Sequence, residues 1–443
     1  MQKVSVSFII LAAGIGSRMQ SAKPKVLHKV ANRSLIKHLL DKIYKLQTKI
    51  VLNKIIIVLG HEFKLVQKKI QITYPEIIFA KQKKQLGTAD AVLSAKKYIK
   101  NDLGKTVILC GDAPLISSNL LKKLINNSNS GALGIIGFRT ENPYGYGRIV
   151  KGKSGYIEKI VEQKEASSVE QKIKLCNSGI LIGKTSFLMN LVSNIGYNKN
   201  KKEKYLTDII QIARNKNENV KLFIGNETEC MGVNTREDLA MVEKEIQKDL
   251  RKKAMNKGVT LIAPETVFFS YDTKISKDVI IGPNVVFGPK VKIEAGVIIE
   301  AFCHLEGVTI KKGAKIGPFA RLRPGTLIQE NAKIGNFVEV KKSVIKKGAK
   351  VNHLSYIGDS DVGIDTNVGA GVITCNYDGV NKNKTVIKEK VFIGSNVSLV
   401  APVKIGTGSL VGAGSVITKD VPDKTLAVER NKQVNIKKRS KNK

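Results

Sequence analysis

The chain has 443 residues, enough for two or three domains, and its 42% hydrophobic and 25% charged residues exclude wholesale disorder. Lysine and arginine number 75 against 37 acidic residues, a net charge of +38. The lysines are spread over the whole length, and there is no tryptophan and no aromatic RNA-binding signature. The excess therefore reads as a solvated surface that attracts anionic substrates, with no nucleic-acid partner.

Five cysteines (Cys110, Cys176, Cys230, Cys303, Cys375) include no CxxC pair, which argues against a disulfide framework or a zinc site and for a reducing compartment. No apolar run reaches the roughly 20 residues that span a bilayer. The N-terminal VSVSFIILAAG leads into GIGSRM without a signal-peptide cleavage pattern, so it reads as a buried first strand. The expected location is the cytoplasm, with no stable membrane association.

In chain order, SFIILAA (7–13), KIIIVLG (54–60) and TVILCGD (106–112) are short apolar runs ending in Gly or Asp, and they read as buried strands. SLIKHLLDKIYKL (34–46) and ADAVLSAKKYI (89–99) lie between them with helical spacing. Alternation of this kind predicts an α/β domain, Rossmann-like, whose mostly parallel sheet binds ligands beyond the carboxyl ends of its strands. The Gly14/Gly16 loop and Gly111-Asp112 both fall at such ends. The stretch 235–258 is acidic at its start and basic at its end, as a helix dipole favours, and predicts a linker helix.

Apolar residues then recur every six positions at Ile281, Phe287, Ile293, Ile299 and Leu305. They resume at Ile316, Leu322, Ile328, Ile334 and Val340, and again at Ile393, Leu399, Ile405, Val411 and Ile417. Hexapeptide periodicity predicts a parallel β-helix with three hexads per coil. The one-residue phase change before Ile316 predicts a segment that loops out. Residues Thr374–Lys390 leave the pattern and read as a projecting loop, and the basic stretch 435–443 as an unstructured tail. The expected division is 1–235, a linker helix over 236–257, and a β-helix domain over 258–443.

The segment LAAGIGSRMQSAKPK (11–25) is neither a Walker A loop nor a dinucleotide fingerprint, because Met19 stands where a third glycine belongs. It follows a strand, its small residues admit phosphate close to the backbone, and Arg18 and Lys25 add two cations. By themselves these glycines also suit a plain turn after a strand. The whole string resembles the L-x-x-G-x-G-[ST]-R-M…P-K signature of sugar-1-phosphate nucleotidyltransferases. With the hexapeptide half, the chain resembles the family of bifunctional N-acetylglucosamine-1-phosphate uridylyltransferase / glucosamine-1-phosphate acetyltransferases over nearly its whole length.

That resemblance implies an α/β nucleotidyltransferase domain followed by a left-handed parallel β-helix. It implies acetyl transfer from acetyl-CoA to glucosamine-1-phosphate, then uridylyl transfer from UTP to the product, with Mg²⁺, for cell-wall and lipopolysaccharide synthesis. Leu11, Ala12, Ala13 and Gly14 would lie against the nucleotide, Arg18 and Lys25 on phosphates, and Gln82, Gly87 and Thr88 at the uracil. Asp112 and Asn234 match the metal ligands, Asn234 also touching nucleotide, and Gly145, Glu162 and Asn177 match sugar-binding positions. Cys110 and Ala89 stand where familiar relatives carry Tyr and Gly.

His28 and His38 read as structural residues in or near helical surface segments. His353, in NHLSYIGD, matches the family's general base, a task suited to imidazole because it ordinarily titrates near neutrality. Arg323 and Lys341 would hold the sugar phosphate, and Tyr356 and Asn367 the sugar. Ala370, Asn376, Tyr377, Ser395, Ala413 and Arg430 match acetyl-CoA or neighbouring positions. The resemblance also implies a homotrimer whose acetyltransfer sites are shared between subunits.

Overall fold

The computed structural model describes residues 3–128, 133–152, 155–197 and 203–437. The last six residues of the expected basic tail, 438–443, lie outside them. The chain forms two compact units, Met1–Ile246 and Gln247–Lys443.

The main sheet of the first unit is built from β1 (Ser5–Ala12), β2 (Val51–Leu59), β3 (Ile78–Lys81), β4 (Lys105–Cys110), β5 (Leu133–Arg139), β6 (Arg148–Lys151), β7 (Ile157–Val161), β8 (Leu175–Lys184) and β9 (Val220–Ile224). They make one sheet in the order β9-β5-β8-β4-β1-β2-β3, with β6 joined to β8 and β7 to β6. Neighbours are parallel except where β8 meets β4, β5 and β6, and where β6 meets β7.

β1 is apolar on both faces because helices cover both. Phe8 and Ile10 join one buried cluster and Ile9 the other, as the two-residue period of a strand requires. The helices Leu35–Tyr44 and Thr88–Ala95 supply residues to opposite faces: Leu39 and Leu40 to one, Ala91 and Val92 to the other. Leu11 and Cys110 are paired at the carboxyl ends of β1 and β4. This pairing sets the Gly14 loop beside Gly111-Asp112.

The second unit is a parallel β-helix with three sheets of ten, eight and eight strands among the described residues. All fifteen hexad positions named above are buried. The phase change before Ile316 arises from a shortened corner, and no segment loops out. Leu305 is followed by Ile310 in the next sheet at a five-residue step, around Gly307 at φ +57. The same short corner recurs from Val340 to Ile345 and from Ile357 to Val362.

The projecting loop is also narrower than expected. Thr374 and Cys375 belong to the strand Ile373–Cys375, and Thr385–Ile387 rejoins a sheet between Ser360–Val362 and Val403–Ile405. Thr385 and Ile387 are buried, so an apolar-out, apolar-in alternation without glycine had concealed a strand.

The helix Arg236–Met255 begins in the first unit and ends in the second. Its start is a capping box: Asp238 N–H donates to Thr235 Oγ1 (3.1 Å), and Thr235 N–H donates to Asp238 Oδ2 (2.9 Å). Within the second unit, Gln247 exchanges hydrogen bonds with Phe269, donating to its carbonyl at 2.7 Å and accepting from its N–H at 2.8 Å.

Candidate active sites

A cavity of about 360 Å³ opens at the carboxyl ends of β1 and β4. Leu11, Ala12, Ala13, Gly14, Lys25, Gln82, Gly87, Thr88 and Asp112 all line it. Gly16, at φ +71, makes the return possible, because a Cβ there would lie 2.9 Å from that of Lys25. Gln82 is buried, its amide donating to Gly87 O (3.1 Å) and Asp90 Oδ2 (2.9 Å), which fixes the QLGTA loop. Thr88 Oγ1 accepts from Leu206 N–H (2.9 Å). Gln85, Glu203 and Tyr205 also line the cavity, and Gln85 donates to Ala13 O (2.8 Å). Sequence reasoning missed these three: Gln85 sits inside the recognised stretch, but Glu203 and Tyr205 lie in a segment with no motif.

Four distant residues converge at the cavity's edge. Lys25 Nζ donates to Asp112 Oδ2 and to Asn234 Oδ1 (3.2 Å), and Arg18 donates to the same Asn234 oxygen (3.0 Å). Val233 N–H donates to Asp112 O (2.9 Å), which brings the Asn234 segment alongside. A carboxylate and an amide oxygen thus meet on one cation-sized point. Two hard oxygen donors of this kind fit a divalent ion such as Mg²⁺, which fills its other positions with water and substrate oxygens. Among the described residues no cluster of three His, Cys, Asp or Glu side chains could hold a metal without substrate.

A smaller pocket of about 100 Å³ adjoins, sharing Leu11, Thr88 and Cys110 and lined by Glu162, Asn177, Gly179 and Thr207. Glu162 accepts from Thr207 Oγ1 (3.0 Å), and Asn177 Oδ1 accepts from Gly179 N–H (3.1 Å). Gly145 lines neither pocket. Its N–H donates to Gln163 Oε1 (3.0 Å) in a neighbouring loop. Burial, then the Asp112 carboxylate, pushes the Cys110 thiol up to about 12, so it stays protonated at neutral pH. His28 and His38 are both buried, contrary to the surface placement expected for them; His38 Nε2 contacts Val30 O (2.9 Å).

In the β-helix, residues one coil apart in sequence stack in space. Leu354, Gly371, Asn396 and Gly414 donate backbone N–H bonds to Asn336, His353, Ala370 and Ser395. Asn336, His353, Ala370, Ser395 and Ala413 therefore climb one corner at the ~4.8 Å strand spacing. Arg430 continues the line, 4.0 Å from the position of a Cβ on Gly414. His353 is exposed, and its Nδ1 bonds Asn336 Oδ1 (2.8 Å). An amide oxygen only accepts, so Nδ1 carries the proton and Nε2 offers its lone pair.

Across the Leu354-Ser355 turn, Tyr356 follows on the next sheet, in register with Glu339. Arg323 donates to Glu339 Oε1 (2.8 Å), and Lys341 lies 4.0 Å from Asp359 Oδ2. The Lys382 ammonium, then burial, holds the Lys341 pKa below its ordinary value. Asn376 is buried and donates to Asp359 Oδ2 (2.6 Å), while Tyr377 is exposed at the loop's start and bridges to Lys382. Asn367 pairs with Lys350 in the sheet that carries His353. Asn336, Glu339, Asp359 and Lys382 were not singled out from sequence, although Asn336 precedes His353 by 17 residues, one coil.

The nucleotidyl transferase family profile matches residues 7–248, and the bacterial transferase hexapeptide profile matches 272–307 and 384–419. A profile described as the GMPPB C-terminal domain matches 305–399. Among curated relatives, a bifunctional protein GlmU of Zymomonas mobilis is 46% identical over 97% of this chain and 95% of its own. That of Paramagnetospirillum magneticum is 45% identical over 99% and 96%. The chain belongs to the bifunctional GlmU family. Its first unit is the nucleotidyltransferase fold, and its second the left-handed parallel β-helix of hexapeptide acyltransferases. It is a transferase with uridylyltransferase and acetyltransferase activities, carrying out the two-step synthesis of UDP-N-acetylglucosamine.

Proposed function

We propose a division of labour in which each unit carries one reaction. At the β-helix corner, His353 Nε2 takes the proton from the glucosamine-1-phosphate amine as its nitrogen attacks the acetyl-CoA thioester carbonyl. The C–N bond forms, the C–S bond breaks, and CoA leaves as a thiol. Asn336 fixes the imidazole tautomer. Arg323 and Lys341 bind the phosphate, an anion that relieves the Lys341–Lys382 repulsion. Tyr356 and Asn367 place the sugar. The ladder Ala370, Ser395, Ala413 and Arg430, with Asn376 and Tyr377, offers the cofactor a track several coils long.

In the first unit, an oxygen of N-acetylglucosamine-1-phosphate attacks the α-phosphorus of UTP and pyrophosphate leaves. Asp112 and Asn234 would hold Mg²⁺, which when bound neutralises phosphate charge. Arg18 and Lys25 turn their cations to phosphoryl oxygens, and alignment with charge neutralisation supplies most of the rate. Gln82, Gly87 and Thr88 frame the base, and Gly145, Glu162 and Asn177 the sugar. The observation that carries this assignment is the convergence of Lys25, Asp112 and Asn234 from three separate segments at the cavity edge.

A homotrimer is the assembly we infer. Phe302, Phe319 and Phe337 stack at centroid separations of 4.8 and 5.0 Å, and Leu354 follows them. They are 51, 44, 54 and 62% exposed, on the same corner as His353. A parallel copy packed on this ridge would cover it and reach the acetyltransfer site. No helix of the described residues is long and apolar enough to cross a membrane. Five free cysteines favour a cytoplasmic location.

Product analysis with glucosamine-1-phosphate, acetyl-CoA, UTP and Mg²⁺, omitting one component at a time, tests the scheme. Asp112→Asn is expected to abolish uridylyl transfer and leave CoA release near wild type. Equal loss of both activities in a folded variant contradicts the assignment.

A further inference from the structure

We propose that Arg236 is a positioning residue for uridylyl transfer, a clamp that ties together the three segments carrying Arg18, Lys25 and Asn234. It rests on the assignment of those residues to the phosphates and the metal. Arg236 is the first residue of the helix Arg236–Met255 and stands two positions after Asn234. Its Nε donates to Met19 O (3.1 Å), one residue from Arg18. One terminal nitrogen, NH1, lies 3.2 Å from His28 Nδ1, three residues from Lys25. One guanidinium thus contacts both phosphate-binding segments and sits on the metal-binding one.

The anchors on either side are firm. Met19 is buried with Val233 and Val242, and His28 is buried with its own N–H bonded to Lys25 O (3.1 Å). Arginine has no acceptor, so the His28 contact requires a neutral ring with Nδ1 unprotonated. Burial, then Arg236 and Lys23, holds the His28 pKa below its ordinary value. Both causes favour the neutral ring that the contact requires. A cation at a helix N-terminus opposes the helix dipole. Glu237 and Asp238 occupy the same turn with the favourable sign, so helix stability alone does not account for arginine at this position.

Displacement of reacting groups by about 1 Å costs on the order of 10²-fold in rate, even when the cause lies away from the chemistry. Arg236→Met is accordingly expected to lower the uridylyl-transfer kcat by about 10²-fold. The KM values for UTP and the sugar phosphate should change by less than about threefold, because ground-state contacts remain. Arg236→Lys, able to keep one of the two contacts, is expected to recover part of kcat. Acetyl transfer in the same chain stays at wild type.

A folded Arg236→Met with wild-type kcat, a loss confined to KM, or an Arg236→Lys as slow as Arg236→Met overturns the proposal. If Arg236→Met does not fold, His28→Phe and His28→Asn ask the same question, since only asparagine keeps an acceptor. A lower kcat for the phenylalanine alone is expected, and equal values overturn the clamp. Asp112→Asn is run beside them. If it stays active, the site assignment itself fails; if it is inactive while Arg236→Met is normal, only the clamp fails.

Discussion

His353 shows how one contact sets a residue's chemistry. Its neighbour Asn336 presents an oxygen at 2.8 Å to Nδ1, which leaves Nε2 as the only nitrogen with a free lone pair. A positioned general base contributes about 10² to 10⁴ in rate, so His353→Ala should lose acetyl transfer by that factor while uridylyl transfer is untouched. Asn336→Ala should lose less, because the imidazole survives and only its tautomer and orientation are released. A coupled thiol assay of CoA release measures both; an Asn336→Ala rate equal to wild type would deny Asn336 any part in tautomer control. His353 was legible in sequence because its motif is contiguous. Asn336 was legible only through the coil period, and Arg236 not at all, since its partners Met19 and His28 lie more than two hundred residues away.

Among the elements, the glycine loop Gln82–Thr88 shows what local pattern leaves out. Gly87 adopts φ +104, and a Cβ there would sit 2.4 Å from Lys204 O. The neighbouring backbone bonds Ala89 N–H to Lys204 O (3.1 Å) and Lys204 N–H to Leu86 O (2.7 Å). A motif reveals that glycine is required but not that the partner segment is 204–206, an irregular stretch with neither hexad nor strand signal. Strain at such a φ costs about 1–3 kcal/mol. Gly87→Ala should therefore lower the melting temperature of the first unit and raise the KM for UTP, with acetyl transfer unchanged. An unaltered KM would mean that the loop does not frame the nucleotide. The β-helix gave the opposite balance: its buried hexads were plain, but the five-residue corners and the strand Thr385–Ile387 were not. A one-residue deletion and an inserted loop shift the phase in the same visible way, and only the backbone path separates them.

At the scale of the molecule, the exposed ridge Phe302–Phe319–Phe337–Leu354 bears on assembly. Stacked rings bring their own attraction, yet each leaves about half its surface in water, and burying apolar area gains roughly 25 cal/mol per Å². Phe302, Phe319, Phe337 and Leu354 each adopt a left-handed φ of +60, +54, +54 and +51, a conformation bulky side chains rarely take. The same left-handed φ recurs at Asn284, Lys290, Asn331 and Lys390, so it belongs to the corners of the coil, and the apolar side chains are what set this ridge apart. If the proposed trimer packs there, Phe337→Asp places a charge in each of three equivalent contacts and should yield monomers by sedimentation velocity. Acetyl transfer should collapse with the trimer, because sites shared between copies are then incomplete. Uridylyl transfer should persist, since its residues all come from Met1–Ile246. A Phe337→Asp chain that remains trimeric places the interface on another face. One that is monomeric and fully active in acetyl transfer shows that a single β-helix holds the whole site.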